Sequence, residues 1–203
     1  ELAFVASCLR AVGVQVRMVD VGTQTLPTVV PDVSREEVLG NRSLPTGDDR
    51  GVAVTAMGES LRSWLQGECE SGHVAGVIGI GGSGGTALIT AALRVLPIGL
   101  PKLMVSTVAS GNTAPYVDCS DITMMSSVVD VAGLNVVSEK ILSNAAHAMA
   151  GMVSHQVTAG ESRTALGMTM FGVTTPCVTA VREILETRGF DCLVFHATGT
   201  GGR

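Results

Sequence analysis

Apolar positions along this chain follow two rhythms, one of helical spacing and one of strict or near-continuous runs. Between Glu1 and Val12, Leu2, Val5, Ala6, Leu9 and Val12 share a helical face, and Gly13 stands where a C-cap belongs. Val14 to Asp20 then alternates apolar and polar as a strand does. Gly22 to Gly51 is rich in Thr, Pro, Asp and Gly and reads as a solvated surface excursion. Within it only Ser34 to Leu39 predicts a short helix, with Ser34 as N-cap and Glu37 at the capping-box position. Val52 to Cys69 returns to helical spacing, Val74 to Ile80 is an apolar strand, and Gly84 to Leu96 is a helix. Pro101 to Thr107 and Asp121 to Asp130 predict strands, and Ser138 to Val153 a helix. Ala165 to Met170 reads as a strand, Pro176 to Thr187 as a helix, and Asp191 to Phe195 as a final strand. Strand and helix in alternation predict a Rossmann-like α/β fold: an open, mainly parallel sheet with helices on both faces, expected as a single domain over 1–203. The opening helix, glycine and strand form the second half of a βα unit. The first strand is therefore expected upstream of Glu1, and the chain is expected to be a fragment of a longer polypeptide.

Composition narrows the function classes. Hydrophobic residues make up 46% and charged residues 15%, so a sizeable core is expected. Aromatics are only 3%, which leaves the packing to Val, Ala, Leu, Ile and Met. The net charge is −5 and lysine occurs only at Lys102 and Lys140, which argues against a nucleic-acid surface. Five cysteines lie scattered without a CxxC pair, as expected of reduced, buried thiols in a cytoplasmic protein. No apolar run reaches the ~18 residues of a membrane span.

The stretch Val74 to Thr86 concentrates the candidate chemistry, because an apolar strand stops there at a block of glycines before a helix. Such a turn lets backbone approach a ligand, and the helix start offers unpaired N–H groups to an anion, most naturally a phosphate. Four segments, 79–86, 106–113, 171–175 and 196–202, follow strands and consist largely of Gly, Ser and Thr. In one open parallel sheet they would all lie along the carboxyl edge, where ligands bind. Gly79, Gly81 and Gly84 satisfy G-x-G-x-x-G, yet no Asp or Glu occurs between Glu70 and Asp118 to hold a dinucleotide ribose. Gly79 to Thr86 also fits the P-loop pattern until Gly85, which stands in the place of its lysine. What remains is a backbone cradle for phosphates, with a metal ion as a source of positive charge. The competing reading is a glycine turn that only permits close helix–strand packing.

Other residues carry weaker signals. His196 closes a strand at the expected ligand edge, as an acid, base or phosphate partner or as a hydrogen-bonded strand end. His147 and His155 flank Gly151 on one helix and favour surface or packing roles, and His73 falls in a turn. Asp118 and Asp121 offer oxygen ligands to a cation, though turn and capping roles are commoner. Cys119 and Cys177 read as buried and inert. Arg203 is either a phosphate partner or a solvated end. No catalytic residue or metal ligand is assigned.

Several motifs together resemble one family. They are Gly76-Val-Ile-Gly-Ile-Gly-Gly-Ser-Gly-Gly-Thr86, Leu96-Pro-Ile-Gly-Leu-Pro-Lys102, Ser106-Thr-Val-Ala-Ser-Gly111, Ser127-Val-Val-Asp130, Leu142-Ser-Asn-Ala145, Ala150-Gly-Met152 and Phe195-His-Ala-Thr-Gly-Thr-Gly-Gly202. By these the chain resembles, along essentially its whole length, the Tm-one-like ATP-binding domain family, which includes the tomato mosaic virus resistance protein. The resemblance implies the amino-terminal ATP-binding half of a larger protein, with Mg2+ as the accompanying ion. Its second half would be another α/β domain. Family members open with a strand ending in Gly-Thr-x-Asp-Thr-Lys, which would precede Glu1. By motif match the nucleotide would be held by Gly81, Gly82, Ser83, Gly84, Gly85 and Thr86, by Ser106, Thr107, Ser110, Gly111, Asn112 and Thr113, and by Thr198, Gly199, Thr200, Gly201 and Gly202. In the plant member this region binds the helicase domain of a viral replication protein, which implies a ligand-dependent partner-binding module. The alternative is half of a metabolic enzyme acting on a phosphorylated or carboxylated small molecule, completed by the second domain. A homo-oligomer is compatible with either, and a purely structural or dimerisation role follows if the loops hold nothing. Direct nucleic-acid or membrane partners are not expected.

Overall fold

The computed structural model describes residues 1–45, 49–155, 157 and 163–198. The chain divides into two compact units, residues 1–156 and 157–203. In chain order the first holds α1 (Leu2–Ala11), α2 (Arg35–Leu39), α3 (Arg50–Glu70), β1 (Val77–Gly81), α4 (Ser83–Leu93), β2 (Lys102–Ser106), α5 (Ala114–Val117), β3 (Thr123–Ser126) and α6 (Val136–Ser154). The second holds β4 (Ala165–Met170), a short 3-10 turn at Gly172–Thr174, α7 (Thr175–Thr187) and β5 (Asp191–His196).

The first unit is built around β2, whose five residues are all buried. β1 and β3 flank it, both parallel, with Gly79 opposite Met104 and Met104 opposite Met124. Period-two alternation sends successive side chains to opposite faces. Leu103 and Val105, with Ile78, Ile80 and Met125, meet Val5 and Leu9 of α1 and Leu142, Ala145 and Met149 of α6. Met104, with Val77 and Met124, meets Met57, Leu61 and Leu65 of α3 and Leu88, Ala92 and Leu93 of α4. A parallel sheet covered on both faces is the Rossmann-like arrangement that strand–helix alternation predicts. Each fully buried Leu or Met contributes about 1.5–3 kcal/mol.

Polar residues fix where the elements start and what holds their ends. The Asp49 carboxylate accepts from Gly51 and Val52 N–H at the start of α3, and Asn135 with Ser138 forms a capping box on α6. Ser34 caps α2 by accepting from Glu37 N–H, as the sequence predicts. At the amino end of β2, the fully buried Lys102 Nζ lies 2.6 Å from Asp121 Oδ1 and donates to Pro97 C=O at 2.6 Å. Burial pushes the Asp121 carboxyl up, but the Lys102 ammonium and the Gly99 N–H outweigh it and hold it below the usual carboxylate range.

One expectation needs correction. Val14–Asp20 joins no ladder, and its one β-contact is a parallel bridge between Val19 and Val33. Alternation was present, but no partner strand lies beside Val14–Met18. The stretch after it is the exposed surface excursion expected, held at its base by Arg35, which is buried and donates from Nε to Asp20 Oδ2 at 2.7 Å and from Nη2 to Thr25 C=O.

In the second unit β4 and β5 pair in parallel, Met170 opposite His196. Among the described residues the strands pair as two ladders, β1-β2-β3 in the first unit and β4-β5 in the second. Segments 79–86 and 106–113 lie at strand ends of the first ladder, and 171–175 and 196–198 at strand ends of the second. Among the described residues no helix is long and apolar enough to cross a membrane.

Candidate functional site

β1 delivers the chain to Gly81, and Gly82, in extended backbone, becomes the N-cap of α4 with no side chain to cap it. The first N–H groups of this 11-residue helix are thus left to solvent or a ligand, at the positive end of its dipole. The glycines here divide by what a side chain would meet. A Cβ on Gly79 would lie 2.7 Å from Ile89 Cγ2 and 2.9 Å from Met104 Sδ, and one on Gly81 3.1 Å from Gly85 Cα. Those two are glycine because strand and helix approach closely. A Cβ on Gly82, Gly84 or Gly85 would find nothing nearer than 3.7 Å, so packing does not explain them.

The Ser106 loop is joined to this turn by two hydrogen bonds. Thr86 Oγ1 and Ser106 Oγ, both fully buried, are 2.6 Å apart, and Thr86 also donates to Gly82 C=O at 2.8 Å. Thr107 N–H donates to Gly81 C=O at 3.3 Å, while Thr107 Oγ1 lies 3.7 Å from a Cβ built on Gly82. Gly81–Thr86 and Ser106–Thr107 therefore form one surface. Farther along, Ser110 and Gly111 are exposed in a turn closed by Gly111 N–H on Val108 C=O. Asn112 uses its side-chain oxygen on Ala114 N–H, and Thr113 caps the short α5 through its carbonyl. Thr198 is exposed in the second unit, and Gly199, Thr200, Gly201, Gly202 and Arg203 lie outside the described residues.

Two features of this edge escaped the sequence reading. Arg50, in the first turn of α3, brings Nη2 to 3.9 Å from a Cβ built on Gly84. A guanidinium thus stands at the mouth of a turn that lacks the P-loop lysine, but it comes from more than thirty positions upstream, where no motif links the two. After β3, Val128 takes φ +64°, a left-handed conformation costly for a β-branched side chain. It is held there by Ser126 Oγ accepting from its N–H at 3.2 Å and by Ser127, which donates from N–H to Ser106 C=O.

The remaining candidates have structural partners. Asp121 serves Lys102 and Gly99 N–H. His147 Nδ1 lies 2.7 Å from Ser143 C=O and His155 Nδ1 3.1 Å from Gly151 C=O, the preceding turn in each case. His73 sits exposed in its turn, 3.3 Å from Glu68, whose carboxyl the Arg17 hydrogen bond holds below its usual value. His196 is exposed, its ring 6.0 Å from that of Phe171. Cys119, in the turn after α5, and Cys177, in the first turn of α7, are exposed, not buried as expected. Among the described residues no group of three His, Cys, Asp or Glu side chains is arranged around a metal ion.

Fold and edge together define an open parallel α/β domain of Rossmann-like form, with an uncapped glycine turn where its first strand enters a helix. The sequence profile of the uncharacterised protein family UPF0261, N-terminal domain, matches residues 1–158, and that of the family's C-terminal domain matches residues 163–203. The chain belongs to this family. It is similar to the UPF0261 protein RA0729 of Rhizobium meliloti (strain 1021), 54% identical over 208 residues, covering all of this chain and 51% of the relative. The UPF0261 protein of Clostridium tetani (strain Massachusetts / E88) is 42% identical over 210 residues, covering all of this chain and 52% of the relative. The ToMV resistance protein Tm-1(GCR237) of Solanum lycopersicum is 49% identical over 181 residues, 85% of this chain and 24% of that protein. The chain spans about half the length of the bacterial relatives it matches.

Proposed function

We propose that the first unit binds a nucleotide, ATP with Mg2+, by its phosphates. The observation that carries this reading is the division among the glycines: Gly82, Gly84 and Gly85 have no packing reason to lack a side chain, and they surround an uncapped helix start. A phosphate there would accept from the first N–H groups of α4, with Arg50 as the charged partner beside Gly84. Thr86 and Ser106 hold the two loops in register beneath it. Mg2+ would arrive on the phosphate oxygens rather than in a carboxylate cage of this chain.

The role proposed for the bound state is a ligand-dependent partner-binding module, with a protein as partner. Exposed Val128, Leu134 and Val136 follow β3, beyond the same carboxyl edge, and exposed apolar side chains there suit docking. A viral replication helicase, the partner implied for plant members, and the second α/β domain of the parent protein are the proposed partners; a second copy of the chain is a further one. Completion of an enzyme site for a phosphorylated or carboxylated small molecule is the competing proposal. Titration calorimetry of the full-length parent with ATP–Mg2+, with NAD and with buffer alone tests the nucleotide reading. ATP–Mg2+ is expected to bind and NAD not to, and Arg50→Gln is expected to weaken ATP about tenfold, the worth of one charge-assisted contact. No heat with any nucleotide would overturn the proposal.

A further inference from the structure

Among the described residues only Asp118 and Val128 hold a positive φ without being glycine. Aspartate tolerates that backbone; valine, branched at Cβ, does not. Val129 N–H donates to Ser127 C=O at 2.7 Å, so Ser127–Val129 is a γ-turn of the rare, strained form with Val128 at its centre. Three further bonds hold it. Ser127 Oγ donates to Val129 C=O at 2.6 Å, Ser126 Oγ accepts from Val128 N–H at 3.2 Å, and Ser127 N–H donates to Ser106 C=O at 3.1 Å. Such strain persists only where the surroundings over-determine it, and it gathers at ligand clamps and switches.

Packing within the chain does not offset the cost of the valine. Its side chain is 70% exposed and belongs to neither core cluster. Glycine or asparagine would take the same backbone with less strain. A branched apolar side chain at such a position therefore points to a contact outside the fold.

The turn is connected to the glycine edge through Ser106. That residue, fully buried at the end of β2, takes Ser127 N–H on its carbonyl, while its hydroxyl lies 2.6 Å from Thr86 Oγ1. Past the turn, Val129, Asp130 and Val131 share a small cavity with Ile80 of β1 and Val105 of β2, so the chain doubles back across the carboxyl ends. β2 lies between β1 and β3, which places their ends two strand spacings, about 10 Å, apart. A phosphate on the first N–H groups of α4 leaves the rest of its molecule within reach of Val128. The part of a nucleotide that suits an exposed apolar side chain is its nucleoside.

We propose that Val128 is a specificity-determining residue: held out by the Ser127–Val129 turn, it forms the apolar wall against which the nucleoside of a bound nucleotide rests. This rests on the nucleotide reading and adds a consequence for the free protein. Removing the side chain relieves strain and deletes a ligand contact together, so stability and affinity move in opposite directions.

The test measures the thermal midpoint and the calorimetric affinities for ATP–Mg2+ and for tripolyphosphate–Mg2+, which lacks the nucleoside. The natural protein, Val128→Gly and Val128→Ile are compared. Val128→Gly is expected to raise the midpoint by roughly 2–4 °C and to weaken ATP about tenfold, with tripolyphosphate unchanged. Val128→Ile, which keeps the apolar surface, is expected to keep the ATP affinity. Equal ATP affinity in Val128→Gly and the natural protein overturns the inference and leaves the phosphate cradle standing. Equal weakening of ATP and tripolyphosphate overturns it as well, since the turn would then act on the cradle and not on the nucleoside. So does a lowered midpoint, which would show the valine packing within the chain. Binding of neither ligand to the natural protein overturns the nucleotide reading and this inference with it.

Discussion

Lys102 has no exposed side-chain surface, and its ammonium rests on one carboxylate and one carbonyl at the amino end of β2. Removing Asp121 strands that charge. Breaking a buried pair costs about 3–5 kcal/mol, and because Asp121 itself is about a third exposed we expect roughly 2–3 kcal/mol for Asp121→Ala in denaturant melts. The pH dependence has a definite sign. Asp121 is held below its unfolded value, so its stabilisation is present above about pH 4 and disappears as pH falls through the lowered folded pKa. Stability of the natural chain should therefore fall below about pH 4, and Asp121→Ala should flatten part of that fall. The Asp121 result also shows where residue types mislead: a candidate cation ligand in the sequence is the counter-ion of a lysine nineteen positions away.

At the scale of elements, much of the fold was legible. Val52–Cys69 became α3 (Arg50–Glu70) and Ser138–Val153 became α6 (Val136–Ser154), because apolar spacing and caps are local signals. What failed was non-local. The alternation of Val14–Asp20 states only that it resembles a strand, whereas a strand needs a neighbour, and the neighbouring space is a cavity. In the same way, strand–helix order alone did not tell which strands pair: β1, β2 and β3 form one ladder, and β4 and β5 another. The glycine turn was found from sequence, but not which glycines serve packing; that depends on Ile89 and Met104 lying against Gly79. Arg50 and the left-handed Val128 lay beyond reach for the same reason. The division is testable by thermal melts. Gly79→Ala is expected to cost about 1–3 kcal/mol through overpacking between β1 and α4. Gly82→Ala, whose Cβ meets only ordinary contacts, is expected to stay within about 0.5 kcal/mol of the natural chain.

For the whole molecule, the first unit is a sheet layered by helices on both faces, with the proposed site where β1 and β2 end. The second unit, matched by the family's C-terminal domain, holds Thr198 and the glycines after it. A role for that segment in the nucleotide site is a proposal about the complete protein, as is any partner. The central claim is narrower: Gly81–Thr86 with Ser106–Thr107 cradles phosphate rather than merely packing a helix on a strand. It is tested most directly by ATP–Mg2+ calorimetry on the protein and its Gly84→Val variant, each with a thermal melt. The account predicts at least about a tenfold loss of affinity, the scale of one or two lost backbone contacts, with the midpoint unchanged. The position admits the valine Cβ, whose nearest neighbour is Arg50 Nη2 at 3.9 Å. Equal ATP affinity in the two proteins would contradict it.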